Sequence, residues 1–162
     1  MPDAFTATAD TPDHWLALDR QLCFALYSTS LAMTRRYKPL LAPLGVTYPQ
    51  YLVLLALWEH EELGVAELGD RLFLDFGTLS PLLKRMEASG WVSRTRDPED
   101  ERRVRVALTD GGRALRDTAR AVPHQLADAT RCQLDELVSL TDRLQRLRAQ
   151  LLDDSETPAP TH

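Results

Sequence analysis

Apolar residues along this chain recur mostly at helical spacing and switch to a period of two only between residues 91 and 108. Val65, Leu68 and Leu72 fall at i, i+3 and i+7, one face of a helix. Asp75 stands where an N-cap belongs. Leu79, Leu82, Leu83 and Met86 then carry a second helix from about Gly77 to Ser89, with Gly90 at its C-terminal stop. Trp91–Arg96 and Val104–Leu108 alternate and predict two strands. Between them lies the charged loop Asp97-Pro98-Glu99-Asp100-Glu101-Arg102-Arg103.

Longer helices flank this segment. Thr11 followed by Pro12 is an N-cap with proline at the first helical position, and the pattern predicts a helix from about Pro12 to Tyr37. Trp15, Leu18, Leu22, Ala25 or Leu26, and Met33 form its apolar stripe. Pro39 and Pro43 are expected to break it. Thr47 with Gln50 has capping-box spacing for a very apolar helix over Tyr48–His60. Thr109 caps another long helix, which Pro123 should kink. A last, leucine-rich helix runs from about Gln133 to Leu152. Residues 1–11 and 153–162 read as flexible termini. Long amphipathic helices with nothing in their own chain to cover them predict a second copy, so a two-fold dimer is expected.

Two helices joined by a short turn, followed by a hairpin with a basic tip, make a winged helix-turn-helix. The fold class is therefore mainly α, with a small α+β winged helix at residues 63–109. Residues 12–62 and 110–152 supply the helical remainder of a single domain. The second helix of the motif carries Thr78, Ser80, Pro81, Lys84 and Arg85 outward, short hydroxyls and cations that suit bases and phosphates. On the hairpin, Arg94 and the tip residues Arg102 or Arg103 are the DNA-facing cations, the tip aimed at the narrow minor groove. Asp100 or Glu101 is placed to brace one of them. A dimer presents two such helices to a pseudo-palindromic double-stranded operator.

Charge changes the picture only when it is located. The whole chain is at −5, yet residues 78–116 hold nine Lys/Arg against six Asp/Glu, and the acidic surplus lies in the rest. A positive face on an acidic body permits phosphate contact and suppresses promiscuous binding. The 162 residues suffice for one real core. With no apolar run long enough for a bilayer and no basic residue in the first 13 positions, neither a membrane span nor a signal peptide is predicted. Two cysteines make no disulfide framework, and a cytoplasmic protein with reduced thiols is expected. His14, His60, His124 and His162 lack zinc-ligand spacing, and there is no phosphate loop or nucleophile elbow. No cofactor and no enzymatic activity are predicted.

Terminal helices around a winged helix resemble the MarR family of transcriptional regulators. The wing sequence over 97–103 and Leu108-Thr109-Asp110-Gly111-Gly112 after it carry that resemblance. Within the family, Leu22-Cys23-Phe24-Ala25-Leu26-Tyr27, Tyr37, residues 44–51 and residues 74–87 resemble the organic-hydroperoxide-sensing repressors. The resemblance implies that N- and C-terminal helices intertwine as a dimerisation domain. It implies that Cys23 is the peroxide sensor and that Tyr37 and Tyr48 hydrogen-bond its sulfur. Tyr27, one turn after Cys23, shares its face. Tyr37 lies 14 positions on, about 21 Å along a helix axis, so it reaches a Cys23 only across a dimer axis. The chemistry implied is thiolate attack on a peroxide O–O bond to give a sulfenic acid. Cys132 resembles the resolving cysteine of those members that close an intersubunit disulfide. The alternative within the family is a regulator relieved by a small aromatic ligand, with Cys23 incidental; the plain reading of Cys23 by itself is a small buried hydrophobe. A thiol peroxidase is the reading from another class, and a wing and a recognition helix speak against it.

Overall fold

The computed structural model describes residues 15–153. Its order is α1 (Leu22–Leu41), α2 (Tyr48–His60), β1 (Glu62–Gly64), α3 (Val65–Leu72), α4 (Phe76–Ala88), β2 (Val92–Arg96), β3 (Val104–Leu108), α5 (Asp110–Ala119), α6 (Val122–Thr130) and α7 (Leu134–Leu152). The expected cap at Thr11 and Pro12 lies outside the described residues.

The caps account for most boundaries. Thr47 and Gln50 form the reciprocal capping box at α2. Asp75 accepts the Thr78 amide at 2.8 Å to start α4, and Thr109 accepts the Gly112 amide at 3.1 Å to start α5. Gly90 takes φ +75° just after α4, a left-handed turn that a side chain would strain. A box that the leucine pattern did not announce, Gln133 with Glu136, opens α7.

Three expectations are corrected. The first helix does not run from residue 12 to Tyr37. Gln21 is extended, its side-chain amide turns back onto the Trp15 and Ala17 carbonyls, and Leu18–Arg20 is a separate 3-10 turn. Pro39 does not break the helix either: it sits in the last turn of α1, where the helix loses a single hydrogen bond and ends two residues later. At Pro123 the chain is broken rather than kinked. Residues 120 and 121 separate α5 from α6, and Pro123 falls at the start of α6, where its missing N–H costs no bond.

β1 is a third strand beyond the two predicted. The antiparallel order is β1-β3-β2, with Leu63 opposite Val106 and Arg94 opposite Val106 on the other side. One continuous core holds the protein together. Leu54, Leu57, Leu68, Leu79, Leu83, Met86, Val92 and Val106 are all essentially inaccessible. α2 is its centre and packs on α1, α3, α4, α5 and the sheet. The Trp58 indole donates to the Gly112 carbonyl at 3.0 Å, a buried bond joining α2 to α5. No single helix among the described residues is long and apolar enough to cross a membrane.

Gly112 is the tightest point. A Cβ built there meets the Trp91 carbonyl oxygen at 2.1 Å and a Leu108 methyl at 2.9 Å. Backbone must therefore move for any side chain. Gly112→Ala is expected to lower stability by roughly 2–3 kcal/mol in urea unfolding. A midpoint equal to that of the parent protein would show that the α5 start and the β2 start are not locked together.

Candidate nucleic-acid interface and thiol sensor

α4 buries Leu79, Leu82, Leu83 and Met86 and so turns Thr78, Pro81, Lys84 and Arg85 outward, with Ser80 half-buried at the edge. The Asp75 carboxylate also accepts the Thr78 hydroxyl at 3.1 Å. These bonds, the Thr78 amide first, hold its carboxyl below the usual range, so the cap is charged at neutral pH. Pro81 removes the N–H that the Gly77 carbonyl would accept, but only in the early turns of the helix.

The wing is organised by carboxylates. Asp97 donates its amide to the Arg103 carbonyl at 2.9 Å and closes the tip. Asp100 accepts from the Arg102 amide at 3.1 Å and lies 3.3 Å from Arg102 Nε and 3.5 Å from Arg103 Nε. It therefore braces both arginines, where the sequence pointed to one. Their side chains remain 92% and 76% exposed, so the charge is offered outward. In water such pairs contribute little stability, and their effect is on orientation.

Arg94 is placed differently from the tip arginines. Its Nε and Nη2 lie 2.9 and 2.7 Å from Glu87 Oε2, and its amide donates to Oε1 at 3.1 Å. The guanidinium side-chain bond is the main cause that holds the Glu87 carboxyl below its ordinary value. This pair ties the end of α4 to β2. Arg105 likewise bridges Glu62 on β1 and Asp97 at the wing base. The glutamate partners lie seven and 43 positions away, and no local motif announces them.

Of the residues expected around the thiol, the fold joins two. The Tyr37 and Tyr48 rings stand 4.6 Å apart at a 40° tilt. Tyr51, which the sequence reading passed over, is 6.0 Å from Tyr37 and continues the stack toward Trp58. Its position at i+3 from Tyr48 on α2 was the available signal. Burial, then the neighbouring phenols, push the Tyr37 hydroxyl up to about 12, and burial raises Tyr48 and Tyr51 as well. All three are O–H donors at neutral pH. Cys23 is exposed near the other end of α1, and Tyr27 is 63% exposed beside it. Within one chain the helix separates Cys23 from the phenols. Cys132 is half-buried just before α7, its thiol 3.6 Å from the Thr130 carbonyl. Leu22, Leu26 and Leu31 on α1, and Leu134, Val138 and Leu144 on α7, remain exposed.

A capped recognition helix backed by a three-stranded wing with arginines at its tip defines a winged-helix DNA-binding protein. The model of the transcriptional regulator SarA/Rot family matches residues 35–118. The HTH-type transcriptional regulator TtmR of Methylorubrum extorquens is 54% identical over 83% of this chain and 69% of its own length. The organic hydroperoxide resistance transcriptional regulator of Bacillus subtilis is 47% identical over 83% of this chain and 91% of its own. Among solved structures, AbfR of Staphylococcus epidermidis superposes with a TM-score of 0.71 at 33% identity, covering 88% of this chain and 99% of that one. AbfR has also been described reduced and bound to DNA (TM-score 0.70, 34% identity, 88% of this chain and 100% of that one) and with a disulfide formed (TM-score 0.59, 36% identity, 84% and 96%). The chain belongs to the MarR family of winged-helix transcriptional regulators and groups there with the organic hydroperoxide regulators. It is a DNA-binding transcriptional regulator.

Two outcomes follow. The fold favours neutral Tyr37, so the stability this residue supplies is complete below its ordinary value of 10 and is lost as pH rises from there through about 12. Phenolate absorbance should show a step near the top of that window that Tyr37→Phe removes; a Tyr37→Phe titration superimposable on the parent's would contradict the stacked, buried phenol. At the wing, Arg102→Ala should weaken operator binding by about tenfold. Asp100→Ala should weaken it less, but in the same direction, because the brace is lost. Tighter binding by Asp100→Ala would mean that Asp100 acts only by repelling phosphates.

Proposed function

We propose that this protein is a dimeric repressor that releases a pseudo-palindromic operator when Cys23 is oxidised by an organic hydroperoxide. Residues 63–109 read the DNA, while residues 12–62 and 110–152 form the dimerisation and sensing region. The observation that carries the reading is the Tyr37–Tyr48 pair, two phenols held ring to ring as hydrogen-bond donors. In an antiparallel crossing of two α1 helices, this pair meets Cys23 of the partner subunit, and the exposed apolar residues of α1 and α7 are covered. The 47% identity to an organic hydroperoxide resistance regulator supports the inducer class.

The chemistry needs only the peroxide as oxidant. The Cys23 thiolate attacks the terminal peroxide oxygen, the O–O bond breaks, and the alkoxide leaves as alcohol after taking up a proton. The phenol O–H groups stabilise the thiolate before attack. The resulting sulfenic acid condenses with the thiol of Cys132 of the partner subunit, releasing water and forming a disulfide. Disulfide closure requires Cα atoms within about 7 Å, and the movement that achieves this repositions the wings. AbfR, described in a disulfide form, is a precedent for such a state in a fold neighbour. A sensor of this kind needs its thiols kept reduced until challenge, which suits the reducing cytoplasm.

The test treats reduced protein with one equivalent of an organic hydroperoxide, blocks residual thiols by alkylation, and reads intact mass under denaturing, non-reducing conditions. A covalent dimer is expected, absent in Cys23→Ser and in Cys132→Ser, with loss of operator binding only where Cys23 is present. Monomer with both thiols still alkylatable would sink the redox reading. A Cys23→Ser protein that still releases DNA on inducer would favour a small aromatic ligand instead.

A further inference from the structure

Phe73 and Phe76 stand on either side of the turn between α3 and α4, and both rings are largely exposed, at 59% and 71%. Phe73 is accounted for inside the fold: the Arg148 guanidinium of α7 lies 4.8 Å from its ring centroid. Phe76 is the first residue of α4, directly after the capping Asp75. It borders the groove that runs from the start of α4 to Arg102 and Arg103 of the wing. On the helix Phe76, Ser80 and Lys84 follow at i, i+4 and i+8, so the ring heads the flank that carries a hydroxyl and a cation.

Single exposed apolar side chains are common, and position is what distinguishes this one. The first turn of a recognition helix is the part of a helix-turn-helix that meets base edges. The Asp75 carboxylate in that turn is already occupied by the Thr78 amide and hydroxyl. The apolar group that the major groove offers is the thymine C5-methyl, and phenylalanine is one of the side chains that contact it.

We propose that Phe76 is a specificity-determining residue that packs on the C5-methyl of a thymine at one defined position in each operator half-site. This rests on the reading of α4 as the DNA-reading helix, and the test separates the two. Full-length reduced protein first selects a duplex from a random library. Each thymine of that duplex is then replaced singly by deoxyuridine, which deletes the methyl and keeps the base pair.

One position per half-site should lose about threefold to tenfold in affinity. Phe76→Ala should lose a similar factor on the thymine duplex and show no further response to uridine at that position. Phe76→Leu should keep part of the discrimination. The salt dependence of binding by Phe76→Ala should match the parent's, because no phosphate contact is removed. Thermal unfolding should match as well, because the ring is exposed. Equal weakening of the thymine and uridine duplexes by Phe76→Ala, or indifference of the parent protein to uridine at every position, would overturn the proposal while leaving DNA recognition by α4 intact. Failure to select any duplex would remove the reading beneath it and the proposal together.

Discussion

The junction of Trp58, Trp91, Thr109 and Gly112 is the constraint on which the rest of the structure depends. The indole of Trp58 donates to the Gly112 carbonyl from the middle of the core. The Trp91 carbonyl accepts the Thr109 amide at 3.1 Å and leaves no room for a side chain on Gly112. Thr109 caps α5 and donates its hydroxyl to the Gly90 carbonyl. Thus the end of α4, the start of β2, the end of β3 and the start of α5 meet at one point. The Trp58–Gly112 bond is buried and the Thr109 bonds close around it, which makes the joint costly to deform. The angle between recognition helix and wing is set by it.

On that frame the charges are sorted by distance from the core. Glu87 takes Arg94, while Glu62 and Asp97 take Arg105, all near the base of the wing. Arg102 and Arg103 at the tip pair with Asp100 and stay accessible. An acidic chain can in this way keep basic side chains exposed on one face, because Glu87, Asp97 and Asp100 are each engaged with an arginine. The phenols belong to the other end of the same frame. Tyr37 rests on α2 through Tyr48 and Tyr51, and Tyr51 stacks toward Trp58. The phenols are thus joined by contiguous packing to α2, the helix that also packs on the sheet.

Much of this was legible in the chain. Helical spacing of Leu68 and Leu72, then of Leu79, Leu82 and Met86, gave the two helices of the motif, and the caps Thr47, Asp75 and Thr109 are local devices that fold as they read. Alternation gave β2 and β3 because period-two burial is a property of a few consecutive residues. The failures share a cause as well. β1 is three residues long and exists because β3 has a free edge beside it. The turn at Gln21 depends on one side chain reaching back to two carbonyls, and the continuation of α1 past Pro39 on where in the helix that proline falls.

What the sequence determined by itself was whatever nearest neighbours decide: the helices, their caps, the hairpin, the basic segment within an acidic whole, and the presence of two thiols and four tyrosines. Only the tertiary structure decided which charges are engaged and which are offered, for Arg94, Arg102, Arg103 and Arg105 are alike in composition and differ in the carboxylates the fold brings to them. It likewise decided that Tyr37 and Tyr48 touch while Cys23 stands apart from them in its own chain. The physical reason is reach: capping and periodicity act over a few residues, whereas the partner of a side chain is set by how whole elements pack.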